Sequence, residues 1–104
     1  MAYMFPKAFS DTADGTVKVH DFGNDIKAKT ELRIVNLGTD PLYFRWDGQD
    51  PAIAGDDCLV CPGGSAREQT PQAITTADGD TGIEIRVIGA TGDYTVELTV
   101  ADNR

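Results

Sequence analysis

Cys58 and Cys61 are three residues apart, a spacing found in redox pairs and in half of a zinc site. A structural zinc ion needs four ligands, and His20 is the only histidine that could add to the two thiolates. Redox pairs of this spacing begin a helix, whereas the run that ends at Pro62 resembles a strand. We therefore predict two reduced structural thiols, with metal binding and a redox pair as the alternatives, and we expect no cofactor.

The other groups that could do chemistry are sparse. His20 lies in no nucleophile motif of the G-x-S-x-G type. The acidic pairs Asp56–Asp57 and Asp78–Asp80 could act on protons or hold a cation, but the EF-hand pattern around them is incomplete. The Pro-Gly-Gly-Ser segment at 62–65 lacks the lysine of a phosphate-binding loop. These patterns predict a protein that is not an enzyme and has no catalytic residue.

Composition limits the choice of partner. The chain has 104 residues, enough for one domain, with 40% hydrophobic and 25% charged residues. Its formal net charge is −8, which disfavours nucleic acid and anionic membranes, since both attract basic proteins. No apolar run is long enough to span a bilayer, and the first residues lack a secretory pattern. We expect a protein that is made in the cytoplasm and binds neither nucleic acid nor membrane.

The elements that would position these residues are strands, because apolar and polar residues alternate with period two. Short turns rich in Gly, Pro and Asp separate these runs. The pattern predicts a single antiparallel β-sandwich, or a partly open barrel, of about six to eight short strands over residues 13–104. Residues 1–12 are predicted to form an N-terminal arm or an edge strand. The alternating runs lie at 26–34, 42–46, 83–87 and 94–100, with shorter ones at 16–20 and 58–61.

The same alternation assigns side chains to faces. Phe44 and Trp46 are predicted to face the core, whereas Tyr43 and Arg45 face solvent. Glu84 and Arg86 are likewise predicted on a wet face. Tyr and Arg are enriched at interface hot spots, which makes Tyr43 and Arg45 candidates for partner binding.

The order of these elements resembles small β-sandwich structural proteins of tailed bacteriophage virions. The resemblance is carried by segments 32–45 (LRIVNLGTDPLYFR), 62–65 (PGGS), 85–89 (IRVIG) and 94–97 (YTVE), within the last two-thirds of the chain. That family has no common active site, so no chemistry carries over. The Cys58–Cys61 run departs from the aliphatic strand usual before Pro-Gly-Gly.

The resemblance implies a capsid decoration (cement) protein on the virion surface. Such a protein binds the major capsid protein or other virion proteins, stabilises the shell, and is expected to form homo-oligomers such as trimers. Phe5, Phe9, Tyr43 and Arg45 are the predicted contact residues. Two alternatives stay open: a tail or neck (head–tail connector) component, and a head-fibre or spike module that binds host-surface polysaccharide.

Overall fold

The computed structural model describes residues 7–22, 29–69, 74–75 and 81–101, and all regular structure within them is β. No helix in these segments is long and apolar enough to cross a membrane. The strands are β1 (Lys7–Thr12), β2 (Lys18–Asp21), β3 (Lys29–Asn36), β4 (Leu42–Arg45), β5 (Leu59–Cys61), β6 (Ala66–Gln69), β7 (Ile74–Thr75), β8 (Thr81–Gly82), β9 (Glu84–Gly89) and β10 (Asp93–Ala101).

Eight of these strands form two four-stranded antiparallel sheets that pack face to face. The first sheet has the order β1-β10-β3-β6, and the second has the order β2-β9-β4-β5. β7 and β8 pair separately as a short hairpin. The predicted all-β fold class is confirmed, and the arrangement is a sandwich, since each sheet keeps two edge strands. Residues 7–12 form one of those edges, β1.

The core lies between the sheets and is built from the apolar half of each alternating strand. Its buried side chains from the first sheet include Leu32, Ile34, Tyr94, Val96 and Leu98, and those from the second include Leu42, Phe44, Cys61, Ile85 and Val87. Because a strand places alternate side chains on opposite faces, period two in the sequence becomes one dry and one wet face per sheet.

The strand predictions are accurate where the alternation is long. The runs at 42–46, 83–87 and 94–100 correspond to β4, β9 and β10, and the run at 26–34 corresponds to β3, with residues 26–28 outside the described segments. β6 was not predicted, because its sequence, Ala-Arg-Glu-Gln, has no apolar alternation. Between β6 and β9 the structure describes the short β7–β8 hairpin, which also was not predicted.

One end of the sandwich is organised by Asn36, whose side chain is buried. Its Nδ2 donates to the carbonyl oxygens of Asp40 (2.8 Å) and Cys61 (3.0 Å), and its Oδ1 accepts from the Gly38 amide (3.0 Å). This one side chain therefore holds the turn between β3 and β4 against the end of β5.

Candidate interaction surface

Of the four predicted contact residues, the three that the structure describes do not form one group. Phe5 lies outside the described residues. Phe9 belongs to β1, where it is half-buried, stacks on His20 with ring centroids 5.3 Å apart, and meets Phe22 edge-on. In this single chain Phe9 therefore packs between the two sheets and does not project as part of an arm.

Tyr43 lies on the outer face of the second sheet, as the alternation predicted, and is half-buried there. It is directly opposite Ile88 on β9 and Val60 on the edge strand β5. Ile88 is half-buried, and Val60 is 37% exposed. We call Ile88, Tyr43 and Val60 the apolar row; its side chains are neighbours on one sheet face, since directly opposed residues are about 5 Å apart.

The outer face of the first sheet has a different chemistry. There Glu97 on β10 is opposite Arg33 on β3, and Arg33 is opposite Glu68 on β6. We call these three residues the polar row. Such a row is what a solvated antiparallel sheet normally carries. The two rows therefore differ, one charged with alternating signs and one apolar. On the second sheet the apolar row lies next to a mixed row, Val19–Arg86–Arg45.

Arg45 follows Tyr43 at the end of β4 and forms an ion pair with Asp47. Its Nε donates to Asp47 Oδ1 at 3.0 Å, and its Nη2 donates to Asp47 Oδ2. The hydrogen bond from Arg45 lowers the pKa of Asp47, and the same bond raises the pKa of Arg45. Arg45 is therefore occupied by a partner within its own chain.

An open cleft of about 410 Å³ lies beside Arg45, where the 46–58 loop leaves β4. Its lining residues are Phe44, Arg45, Trp46, Asp47, Asp57 and Leu59. Trp46, which was predicted to face the core, follows the last residue of β4 and packs against the core with its side chain half-buried. Its ring lies 6.1 Å from that of Phe44, and the residue also lines the cleft. The sequence analysis did not identify this cleft. The position of Trp46, directly before the Asp-Gly turn at which the alternation ends, was the signal that could have indicated it.

A buried charge on the second sheet also departs from expectation. Glu84 was predicted on a wet face, yet its side chain is fully buried. Arg86 Nε donates to Glu84 Oε1 at 2.8 Å, and Arg86 Nη1 donates to Asp50 Oδ1 at 2.8 Å. Because Asp50 belongs to the 46–58 loop, Arg86 ties that loop to the sheet.

The two cysteines are free thiols in separate environments. Cys61 is buried, with its Sγ 3.5 Å from the Ser65 carbonyl oxygen and 3.8 Å from that of Ile34. Cys58 is partly exposed, and its Sγ accepts from the Ala52 amide at 3.4 Å. In the described part of the chain, no three His, Cys, Asp or Glu side chains are grouped as metal ligands.

His20, the lone histidine, serves the core. Its Nε2 lies 2.7 Å from the Tyr94 hydroxyl, and this contact joins β2 of the second sheet to β10 of the first. Burial lowers the pKa of His20; the charge of Asp11 opposes that shift, and the charge of Lys18 adds to it. Burial also raises the pKa of Tyr94. The neutral imidazole is therefore the form that this site favours.

Comparison with known proteins gives a likeness of fold. No protein-family model matches the sequence, and no curated protein matches it significantly. A solved structure described under the words "Bacillus endospore appendages form a novel family of disulfide-linked pili" is similar, with a TM-score of 0.54 and 13% sequence identity. The match covers 98% of this chain and 89% of that one. At this identity the likeness concerns the fold, and the two chains are similar β-sandwich domains along almost their whole length.

Proposed function

We propose that this protein is a non-catalytic structural subunit that binds other protein subunits through the outer face of its second sheet. The observation that carries this proposal is the contrast between the apolar row, Ile88–Tyr43–Val60, and the polar row on the opposite sheet. Partly exposed apolar residues at adjacent sites on a sheet form a patch of the kind found at interaction surfaces. Val19, 46% exposed on the edge strand β2 and opposite Arg86, lies on the same outer face in the neighbouring row.

The specific role that we propose is decoration of a tailed-phage capsid, with the major capsid protein as partner. The resemblance of segments 32–45, 62–65, 85–89 and 94–97 to small virion proteins supports this role. A decoration protein binds many equivalent sites on a shell, and each bound copy stabilises the folded subunits that it bridges. Phe5, Tyr43 and Arg45 stay in the proposal as contact residues, with Arg45 acting as part of its pair with Asp47.

The test is binding to particles. Purified protein is mixed with capsids that lack it, and the particles are imaged by cryo-electron microscopy. Regular density on the shell, with the second sheet facing the coat, is the expected result. Val60→Glu should abolish this density, because it places a charge in the apolar row. Ala8→Glu, at an exposed site on β1, is the matched control and should leave the density unchanged.

A homopolymer subunit is the second candidate, and the likeness to a pilus structure favours it. This role predicts filaments or large oligomers of the pure protein without any capsid. Light scattering and negative-stain microscopy over a range of concentrations distinguish the two roles. Filaments alone, with no binding to capsids, would overturn the decoration role and keep the structural one. A monomer that never binds capsids and never self-associates would overturn both.

A further inference from the structure

The cleft beside Arg45 has a composition that selects for a particular ligand. Its lining includes three apolar side chains, Phe44, Trp46 and Leu59, and the carboxylates of Asp47 and Asp57. A volume of about 410 Å³ accommodates one long side chain with part of its backbone, because small-ligand sites begin near 300 Å³.

The cleft carries a net negative charge, which favours the binding of cations. Its three charged groups are two carboxylates and one guanidinium, and the Asp47 carboxylate already engages the guanidinium of Arg45. Asp57 makes no hydrogen bond or ion pair with any other residue of the described segments. The charge of Asp57 acts on Arg45 and helps to raise the pKa of Arg45, but Asp57 is in neither hydrogen-bond nor ion-pair contact with that guanidinium, so its carboxylate oxygens can still pair with a ligand.

We propose that this cleft binds a lysine or arginine side chain of the protein partner. The proposal rests on the assembly role given above and names the chemistry by which the partner is recognised. A cation over the face of an indole is attracted by the ring quadrupole, and tryptophan is the best ring for this contact. Asp57 supplies the opposing charge, and the net charge of −8 attracts basic surfaces from a distance.

The experiment uses Trp46 as its own reporter, since it is the only tryptophan in the chain. The probe is a blocked Gly-Lys-Gly tripeptide, with blocked Gly-Gln-Gly as its neutral counterpart. Titration of the lysine peptide should change the tryptophan fluorescence saturably, and added salt should weaken binding. The glutamine peptide should give no saturable change.

Two surface variants separate a specific site from general attraction. Asp57→Asn should weaken binding of the lysine peptide about fivefold, the size expected for one exposed cation contact. Asp56→Asn removes the same charge from the neighbouring exposed residue, which does not line the cleft, and should leave binding within twofold of the original. Equal losses in both variants, or equal binding of the two peptides, would overturn the proposal. A response to neutral oligosaccharides instead of lysine would do so as well.

The capsid assay then separates this proposal from the assembly role. If Asp57→Asn also loses capsid density, the cleft contacts the coat. If the lysine peptide binds but Asp57→Asn decorates capsids normally, the cleft does not serve the partner and the proposal fails, while the assembly role stands. If the unaltered protein never binds capsids or copies of itself, the assembly role fails, whatever the peptide titration shows.

Discussion

At the scale of single residues, the side chains that could do chemistry have structural positions. His20 and Cys61 lie in the core, and each contacts a neighbouring strand or turn. Cys58 packs against the loop backbone at Ala52. These placements follow from burial, because a polar group withdrawn from water needs a partner inside the protein.

Cys58 and Cys61 should differ in reactivity, because a reagent modifies a cysteine only when it can reach the sulfur atom. Cys58 is partly exposed, and Cys61 is buried. In the native protein we expect a thiol reagent to label Cys58 quickly, and to label Cys61 only after denaturant is added. Cys58→Ser should remove the fast phase and leave the slow one. Two fast phases in the native state would contradict this assignment.

Asn36→Ala should destabilise the fold strongly, because the variant removes three hydrogen bonds and leaves buried backbone groups without those partners. We expect a loss of about 3 kcal/mol in the free energy of unfolding, measured by urea denaturation. Ser10→Ala removes an exposed bond to Thr95 and should cost less than about 0.5 kcal/mol. Similar losses in both variants would contradict the role given to Asn36.

At the scale of elements, the turns pack against one another as closely as the strands do. A Cβ at Gly63 would lie 2.2 Å from the carbonyl oxygen of Thr39, and one at Gly38 would lie 2.8 Å from the Cα of Gly92. The turns at this end of the sandwich are therefore in backbone contact, and glycine is required there for space. Gly64 is different, since it has a φ of +69° and open space around it.

Gly63→Ala and Gly64→Ala separate these two causes. Gly63→Ala forces the turn between β5 and β6 away from Thr39, and we expect a loss of about 3 kcal/mol. Gly64→Ala meets only the backbone cost of a left-handed conformation, about 1 kcal/mol. Thermal and urea unfolding of the two variants measure the difference. A larger loss for Gly64→Ala would show that the close approach to Thr39 is relieved easily.

Arg86 connects β9 to the 46–58 loop, and its partners Glu84 and Asp50 should contribute unequally to the free energy of unfolding. Arg86→Ala leaves the buried carboxylate of Glu84 without its guanidinium, and we expect a loss of about 3 kcal/mol. Asp50→Ala removes only an exposed partner and should cost less than about 1 kcal/mol. Urea unfolding of both variants tests this order. If Asp50→Ala were the costlier change, the loop contact would matter more than the buried pair.

At the scale of the whole molecule, the two sheets are joined across the core by a polar contact as well as by apolar packing. His20 and Tyr94 come from different sheets, and Phe9 covers the imidazole from the edge strand β1. The stability of the sandwich should therefore depend on the protonation of one residue. The apolar row and the cleft both belong to the second sheet and its loop, which makes that side of the molecule the proposed contact side.

Stability should fall as the pH drops below about 6.5, the ordinary pKa of histidine. Because burial lowers the pKa of His20 in the folded state, the unfolded chain binds the proton first, and stability is lost as the pH falls toward the folded-state value. The uptake of one proton on unfolding changes the free energy of unfolding by at most about 1.4 kcal/mol per pH unit. Urea unfolding between pH 7.5 and 5.5 should show this slope, and His20→Gln should flatten it. An equal slope in His20→Gln would assign the effect to other groups.

The alternation of apolar and polar residues determined the fold class and most of the core. Leu42 and Phe44 face inward and Tyr43 faces outward because successive side chains on a strand must point to opposite faces, which is a local property of the chain. The Gly- and Pro-rich turns are equally local, so strands such as β4, β9 and β10 could be predicted without knowing their partners.

Tertiary structure alone decided which separate segments meet. Asn36 reaches Cys61, Arg86 on the sheet reaches Asp50 in the loop, and Asp57 lines a cleft with Trp46; no local pattern encodes such contacts. The contrast between the apolar row and the polar row is of the same kind. Tyr43 becomes part of an apolar row only because strand order places Ile88 on one side of it and Val60 on the other.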